Sequence, residues 1–354
     1  MEDRQQQQRP QLQERQYTYS VLSHASPFES QVAGHEGLLE DDTGLLLIKP
    51  CTKTEVRFYD ESVNHPELRE WMPAYMGSLQ LGLPENVSRE MIPEEASIPA
   101  IEDDKGGGGR PNKKLEQAVV LENLTNGFKR PCVMDIKLGS RLWADDATPE
   151  KQARMEQVSR NTTSGVMGMR ITGMRVWRAE QCSFEVFPKS YGKSLTALTL
   201  PAALRQFFSA RLLPTQTPLI LSRFVEDVEL IIAALNEEEL RMFSCSLLFI
   251  YEGDAGALSE AIAEEAKKVI NEELYPPSDS EGTHSEEEIE EDEEEEIKKV
   301  IELRLIDFAH AKWLPGAGRD DNIFRGAKNV LYLLRDVLAE VEAEDLAEEI
   351  EGFA

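Results

Sequence analysis

Between residues 131 and 139 the chain reads PCVMDIKLG, an apolar stretch in which Asp135 and Lys137 stand two apart. Alternate positions of a strand share a face, so this spacing predicts a short strand whose polar face is a working surface. Upstream, GLLLIKPC (44–51) and EVRFYDE (55–61) predict a strand and a short helix in a small first lobe, and AVVLENL (118–124) a strand running to a lobe boundary near 125–128. Downstream, Thr148-Pro149-Glu150 reads as a helix start, with threonine as cap, proline in the first turn and an acid near the positive end of the dipole. A helix over about 149–159 follows from it. ITGMRVW (171–177) is strand-like and SYGKSLT (190–196) a loop, while LPAALRQFFSARL (200–212) and PLILSRFVEDVELIIAAL (218–235) have helical apolar spacing. CSLLFIYEG (245–253) and VIELRLIDF (300–308) are apolar stretches, and a closing helix is expected over roughly 321–340.

Three stretches lack this patterning. Residues 1–30 are rich in glutamine and charge and read as a disordered tail. Residues 84–114, with prolines, acids and four glycines at 106–109, read as a flexible insertion. The polar segment from 254 to 299 contains SDSEGTHSEEEIEEDEEEE (278–296), whose like charges repel and bury nothing, so about 276–296 is expected to be a disordered acidic insertion. The resulting division is a tail to 30, a first lobe over 31–125 and a second over 126–354.

With 354 residues, 41% of them hydrophobic, the chain can bury a sizeable core and needs no oligomer, so a monomer is expected. The start has no apolar leader core, and no apolar run approaches a membrane span, which points to a soluble intracellular protein. Cys51, Cys132, Cys182 and Cys245 are far apart within apolar stretches, as expected of reduced, buried thiols, and the five histidines form no metal-binding cluster. A net charge of −28 disfavours direct nucleic-acid binding. The charge is uneven, however: residues 128–193 carry +5 and the remainder −33, so a polyanionic substrate has one obvious place to go.

VLENL (120–124), DIKLG (135–139), CSLLFIYEG and LIDFAHA (305–311), in this order and at these separations, closely resemble the inositol polyphosphate kinase family, and the resemblance runs from about residue 33 to 334. It implies an α+β, two-lobed fold, protein-kinase-like and ATP-grasp-like, with a nucleotide cleft between the lobes, and a kinase using ATP and magnesium. Adenine would hang on main-chain groups of Glu122 and Leu124. Lys49, with Glu55 placed to hold it, would contact ATP phosphates. Asp307 would be the main metal ligand, Asp135 would face the ribose and metal region, and Lys137 would offset charge on the transferring phosphate and anchor the acceptor. AGHEG (33–37) is too loose a match for a phosphate loop. Substrate phosphates need several cations at fixed separations: Lys151 and Arg154 lie three apart on the expected helix and project together, with Arg160 at its end, Lys193 in YGKSL and His310 beside the metal strand.

Within the family the short 139–173 segment, TTSG (162–165), SLLFIYEGD and the acidic insertion look most like a fungal multikinase. Such an enzyme would convert inositol 1,4,5-trisphosphate to the tetrakis- and pentakisphosphate; the alternative is an inositol hexakisphosphate kinase. Lipid phosphoinositide kinase activity, nuclear and cytoplasmic placement, and a role of the acidic segment as an interaction module for transcription regulators are further expectations from the resemblance.

Overall fold

The strand expected at 44–51 forms as β3 (Leu46–Cys51), between β2 (Leu39–Glu40) and β5 (Gln117–Glu122), in an antiparallel sheet of order β1-β2-β3-β5-β4. β1 is Ser26–Pro27 and β4 is Tyr75–Gln80. The computed structural model describes residues 25–33, 37–81, 117–274 and 298–352. The expectations for the tail up to residue 24, the 84–114 insertion and the acidic tract at 276–296 lie outside the described residues. The last part of the expected tail is not tail, because Ser26 and Pro27 pair with Glu40 and Leu39.

On the first-lobe sheet lies α1 (Lys53–Glu61), capped by the Thr52 side chain, which accepts from the Glu55 N–H. α2 (Pro66–Arg69) is a single turn with proline at its start. Phe58, Tyr59, Leu68 and Met72 are buried beneath these helices.

The second lobe is built on an antiparallel sheet of order β11-β10-β6-β7-β8, with β6 (Pro131–Leu138) in the centre, β7 (Met169–Arg178) and β8 (Ser183–Phe187) on one side, and β10 (Ser246–Glu252) and β11 (Ile301–Ile306) on the other. A two-stranded ribbon pairs β9 (Leu240–Met242) with β12 (Ala311–Trp313). Alternation sorts the faces of β6: Cys132, Met134, Ile136 and Leu138 enter the main core, leaving Val133, Asp135 and Lys137 on the other face. The core face is covered by α6 (Leu200–Phe207), α7 (Gln216–Glu237) and α9 (Asp321–Gly352), which bring Phe207, Phe224, Val228, Ile231, Val330 and Leu334 against Phe249 and Leu247. Each such fully buried side chain contributes about 1.5–3 kcal/mol of transfer free energy.

α3 (Pro149–Arg160) starts where expected, with Pro149 in the first turn and the Thr148 hydroxyl accepting from the Lys151 N–H. α4 (Thr163–Met167) follows and ends at Gly168, in the left-handed region at φ +64°. Three expectations need correction. Residues 190–196 are largely helical, as α5 (Lys189–Ser194): the helix docks so closely on β7 that a Cβ on Gly192 would sit 1.8 Å from the Ile171 carbonyl oxygen, a tertiary contact that overrides a glycine's weak helix preference. The polar segment after Asp254 begins with α8 (Ala255–Leu274), for which burial of Leu258 and Ala261 supplies the inward stripe. Cys182 is not buried: it is exposed with φ +47°, whereas the other three thiols are buried.

Helix α9 runs past the expected end to Gly352 and meets α4 at a glycine pair. A Cβ on Gly326 would lie 2.2 Å from the Gly168 carbonyl oxygen, and that backbone oxygen has nowhere to go. Gly326→Ala is therefore expected to cost about 1–3 kcal/mol, lowering the midpoint of thermal unfolding by several degrees. An unchanged melt would mean that α9 does not approach α4 this closely.

Candidate active site

Asp307 is the residue on which the two lobes meet. It follows β11 with φ +68°, a left-handed conformation that costs an L-residue on the order of 1–2 kcal/mol and that aspartate tolerates better than most. Among the described residues only Cys182, Ser244 and Asp307 are non-glycine residues with positive φ, and two of the three stand in this site. Strain held in place at one location is a reason to look there for function.

The Asp307 carboxylate accepts from Lys49 Nζ at 2.7 Å through Oδ1, and its Oδ2 lies 3.9 Å from Lys137 Nζ. Lys49 comes from β3 of the first lobe and also donates to Glu55 Oε1 at 2.7 Å. Glu55, buried on α1, accepts in turn from the Phe308 N–H at 3.3 Å. α1 is further held to the second lobe by Thr52, whose hydroxyl donates to the Ala309 carbonyl, and by Phe58, which stacks on Trp313 at 4.4 Å and accepts its indole N–H. Burial favours loss of the Lys49 proton, but Asp307 and Glu55 outweigh it, so the ammonium is held well above its ordinary range. A strand lysine paired with a glutamate of the neighbouring helix is the arrangement with which kinases fix phosphates.

Lys137 Nζ donates to the Ser244 carbonyl at 2.7 Å, and the left-handed turn at Ser244 aims that carbonyl. In register, Lys137 is flanked by Ser246 on β10 and Arg170 on β7, so a serine, a lysine and an arginine form a row across three strands on one face. Arg170 is 5% exposed, and its Nε and Nη1 have no partner; Asp135 Oδ1 and Ser246 Oγ, equally buried, have none either. Buried polar atoms left unpaired cost about 1–3 kcal/mol each, so this row and Asp135 are built for a partner rich in oxygen and hydrogen-bonding groups. Asp135 is 3% exposed; burial raises its carboxyl above the ordinary range, Lys137 opposes this and Asp307 adds to it. Arg170, Ser244 and Ser246 escape a sequence reading. A lone arginine in GMRITGM and serines in SCSLL look like strand filler, and only pairing register shows that they flank Lys137.

The other expected residues divide. Lys151, in the first turn of α3, reaches His310, with Nζ 3.3 Å from Nε2, so the helix and the turn after Asp307 meet. Arg154 lies one turn further on, exposed. Arg160 is not brought to this group: it pairs with Glu156 of its own helix at 2.7 Å and sits about 13 Å along the axis from Lys151. Lys193 is exposed on α5, next to the glycine that seats this helix on β7. The position of α3 is fixed by Asn322, whose Oδ1 accepts from the Ser140 and Arg141 N–H groups at 2.8 and 2.9 Å, and by Ser159, which donates to the Ser140 carbonyl at 2.6 Å.

Glu122 ends β5, its backbone N–H donating to the Ala74 carbonyl and its carboxylate accepting from the Ala74 N–H. Leu124 belongs to a small cluster apart from the main core, with Val133 and Ile250, against which Val32, Phe128, Leu248 and Ile306 pack. This cluster lies on the same sheet face as Asp135 and Lys137, so the face passes from apolar beside the interlobe connector to charged beneath Asp307.

A model of the family described as inositol polyphosphate kinase matches residues 118–335. The chain belongs to the inositol polyphosphate kinase family. It is 31% identical to an inositol polyphosphate multikinase of Schizosaccharomyces pombe, over 86% of this chain and 95% of that one, and 29% identical to one of Saccharomyces cerevisiae, over 88% and 97%. The solved structure of the S. cerevisiae multikinase Ipk2 in complex with ADP and Mn2+ superposes with a TM-score of 0.58, at 30% identity, over 83% of this chain and all of that one. An inositol hexakisphosphate kinase 3 of mouse is 29% identical over 64% of this chain and 52% of its own length. The protein is thus a kinase with the α+β, two-lobed fold.

The residues fit a divalent cation of the hard, oxygen-seeking kind. Asp307 and the unpaired Asp135 Oδ1 supply carboxylate oxygen on one face, and no group of three or more acid, histidine or cysteine side chains converges among the described residues, as suits an ion that completes its shell with phosphate and water. Asp307→Asn keeps the shape and the tolerance for positive φ while removing the charge. It is expected to lower turnover about a hundredfold or more while shifting the thermal midpoint by only a few degrees, as checked by steady-state kinetics beside a melt. Normal turnover in this variant would remove Asp307 from the reacting centre.

Proposed function

We propose that this kinase transfers the γ-phosphoryl group of ATP, with magnesium, to hydroxyls of inositol 1,4,5-trisphosphate, giving the tetrakis- and then the pentakisphosphate. The observation that carries this reading is the placement of Asp307 between two ammonium groups from different lobes, with Lys151 and His310 continuing the polar surface away from it. Phosphoryl transfer asks little covalent chemistry of a protein: it needs the nucleotide fixed, charge offset on the transferring group and an acceptor hydroxyl in line.

In this reading the apolar cluster around Leu124, Val133 and Ile250 takes the flat face of adenine, and main-chain groups at Glu122 and Leu124 take its edge. Lys49 holds ATP phosphates and is itself oriented by Glu55. Asp307 and Asp135 would hold magnesium, whose charge would offset that on the phosphate oxygens. Lys137 faces the transferring group, and the Arg170 guanidinium beside it adds a second fixed charge for an oxyanion. No carboxylate stands as an evident general base, which a loose transition state tolerates. Lys151 and Arg154 present cations to the phosphates of the acceptor, with His310 beside Lys151, and Lys193, exposed on α5, is a further cation offered to them.

The multikinase reading is favoured over the hexakisphosphate kinase by coverage: the fungal multikinases align over nearly their whole lengths, the hexakisphosphate kinase over about half of its own. The test is incubation of the purified protein with ATP, magnesium and each inositol phosphate from tris to hexakis, with products separated by chromatography. Turnover of the trisphosphate and not of the hexakisphosphate is the expected result; the reverse would move the chain to the other branch.

Two variants probe the roles. Lys137→Ala is expected to fold and to lose about a hundredfold or more in turnover, the scale for deleting a preorganised charge at a transition state. Charge reversal at both Lys151 and Arg154 is expected to raise the Michaelis constant for the inositol phosphate with little change in that for ATP. An equal rise for both substrates would place these cations elsewhere than on the acceptor.

A further inference from the structure

The connector between the lobes, residues 123–130, is fastened at both ends by buried side chains. At the first-lobe end Asn123 donates to Glu40 Oε1 and the Gly44 carbonyl at 2.8 and 2.9 Å, and its Oδ1 accepts from the Thr125 N–H and hydroxyl. At the second-lobe end stands Glu252, the last residue of β10, 2% exposed. Its Oε2 accepts from the Lys129 N–H at 2.6 Å, its Oε1 from the Arg130 N–H at 3.0 Å and from the Asp254 N–H at 2.8 Å. The same stretch is tied twice more through the main chain, by the Gly253 N–H to the Arg130 carbonyl and by the Lys299 N–H to the Gly127 carbonyl, each at 3.0 Å.

A carboxylate without a cation at this depth is costly, and burial does raise the Glu252 carboxyl above its ordinary range against the pull of the three N–H groups. A neutral residue, or an apolar one with the connector rerouted, would satisfy folding at lower cost. What the acid does that an apolar residue cannot is fix two consecutive connector amides to one strand end. That strand, β10, also carries Ile250 and Leu248 of the apolar cluster and, at its start, Ser246 beside Lys137. The carboxylate therefore sets the connector in register with the face that holds both the apolar cluster and the reacting centre.

We propose that Glu252 is a positioning residue for the nucleotide: by pinning the second-lobe end of the connector at Lys129 and Arg130 it sets where the main chain at the other end meets the adenine edge, and so governs ATP affinity without touching ATP. The assignment rests on the reading that the main chain at 122–124 takes the base. Glu252→Gln discriminates a positioning role from a merely structural one. Oε1 and its two amides can be kept, while the new amide group meets the Lys129 N–H donor to donor, so the fold persists and the register slips. Gly127→Ala is the second variant. It strains the same connector at a residue with φ +87° and leaves the carboxylate intact.

The experiment measures Michaelis constants for ATP and for inositol 1,4,5-trisphosphate, turnover at saturating ATP, and thermal midpoints, on the full chain and both variants, with GTP in place of ATP as a control. Glu252→Gln is expected to raise the ATP constant about tenfold, and Gly127→Ala severalfold. The trisphosphate constant and saturated turnover should stay within about twofold. A folded Glu252→Gln protein with an ATP constant within about twofold of wild type, or with both constants rising together, overturns the positioning role. Should that variant fail to fold, the same two outcomes in Gly127→Ala overturn it. A wild-type enzyme that uses GTP as readily as ATP would show instead that the connector does not read the base, and the reading beneath the proposal would fall first.

Discussion

The charged centre of the cleft is organised by one ion pair, Lys49 with Asp307, drawn from residues 258 positions apart in the chain and from different lobes. Neither partner is placed by local sequence. Lys49 is carried by β3 and steadied by Glu55, which reaches back to the Phe308 N–H beside Asp307, so the pair is closed into a ring of contacts across the cleft. Asp307 is held in a left-handed conformation that an isolated chain would seldom adopt. The cost of that strain is met by the apolar contact behind it, where Phe308 is fully buried and stacks on Phe58 at 4.8 Å. Packing of the lobes and assembly of the charged centre are in this sense one event.

A second consequence follows from the centre's strand, β6. It separates two environments by alternation alone: the main core takes every second side chain, and the opposite face receives Val133, Asp135 and Lys137. Neighbouring strands extend this face into an apolar end near the connector and a polar end with Ser246 and Arg170. A nucleotide has the same polarity along its length, flat and apolar at the base, anionic at the phosphates. The sheet face is complementary to such a molecule before any individual contact is considered.

Much of this was legible in the sequence because the signals are local. The two-residue spacing of Asp135 and Lys137, the Thr148-Pro149 helix start and the helical spacing after residue 200 each survive into the structure with small changes of boundary. What was not legible depends on long-range pairing. Arg170 becomes a site residue only because β7 lies beside β6 in a register that puts it opposite Lys137, and Glu252 matters only because the connector passes the end of β10. The helix at Lys189–Ser194 has a loop-like sequence because its stabilisation comes from Gly192 pressing on β7, not from its own residues. Arg160, grouped with Lys151 by proximity in sequence, turns to Glu156 because helix geometry carries it two turns away.

The central claim is that Lys49 and Asp307 act as one unit across the cleft, and a double-mutant cycle tests it most directly. kcat/KM for ATP would be measured for Lys49→Met, Asp307→Asn and the double variant, with folding checked for each. Residues that act as a unit lose their joint contribution when either is removed, so the double variant should be no more than about threefold worse than the worse single. Losses that multiply, with the double variant reduced by the product of the two single effects, would show that the two residues act independently and that the interlobe pair is not what assembles the centre.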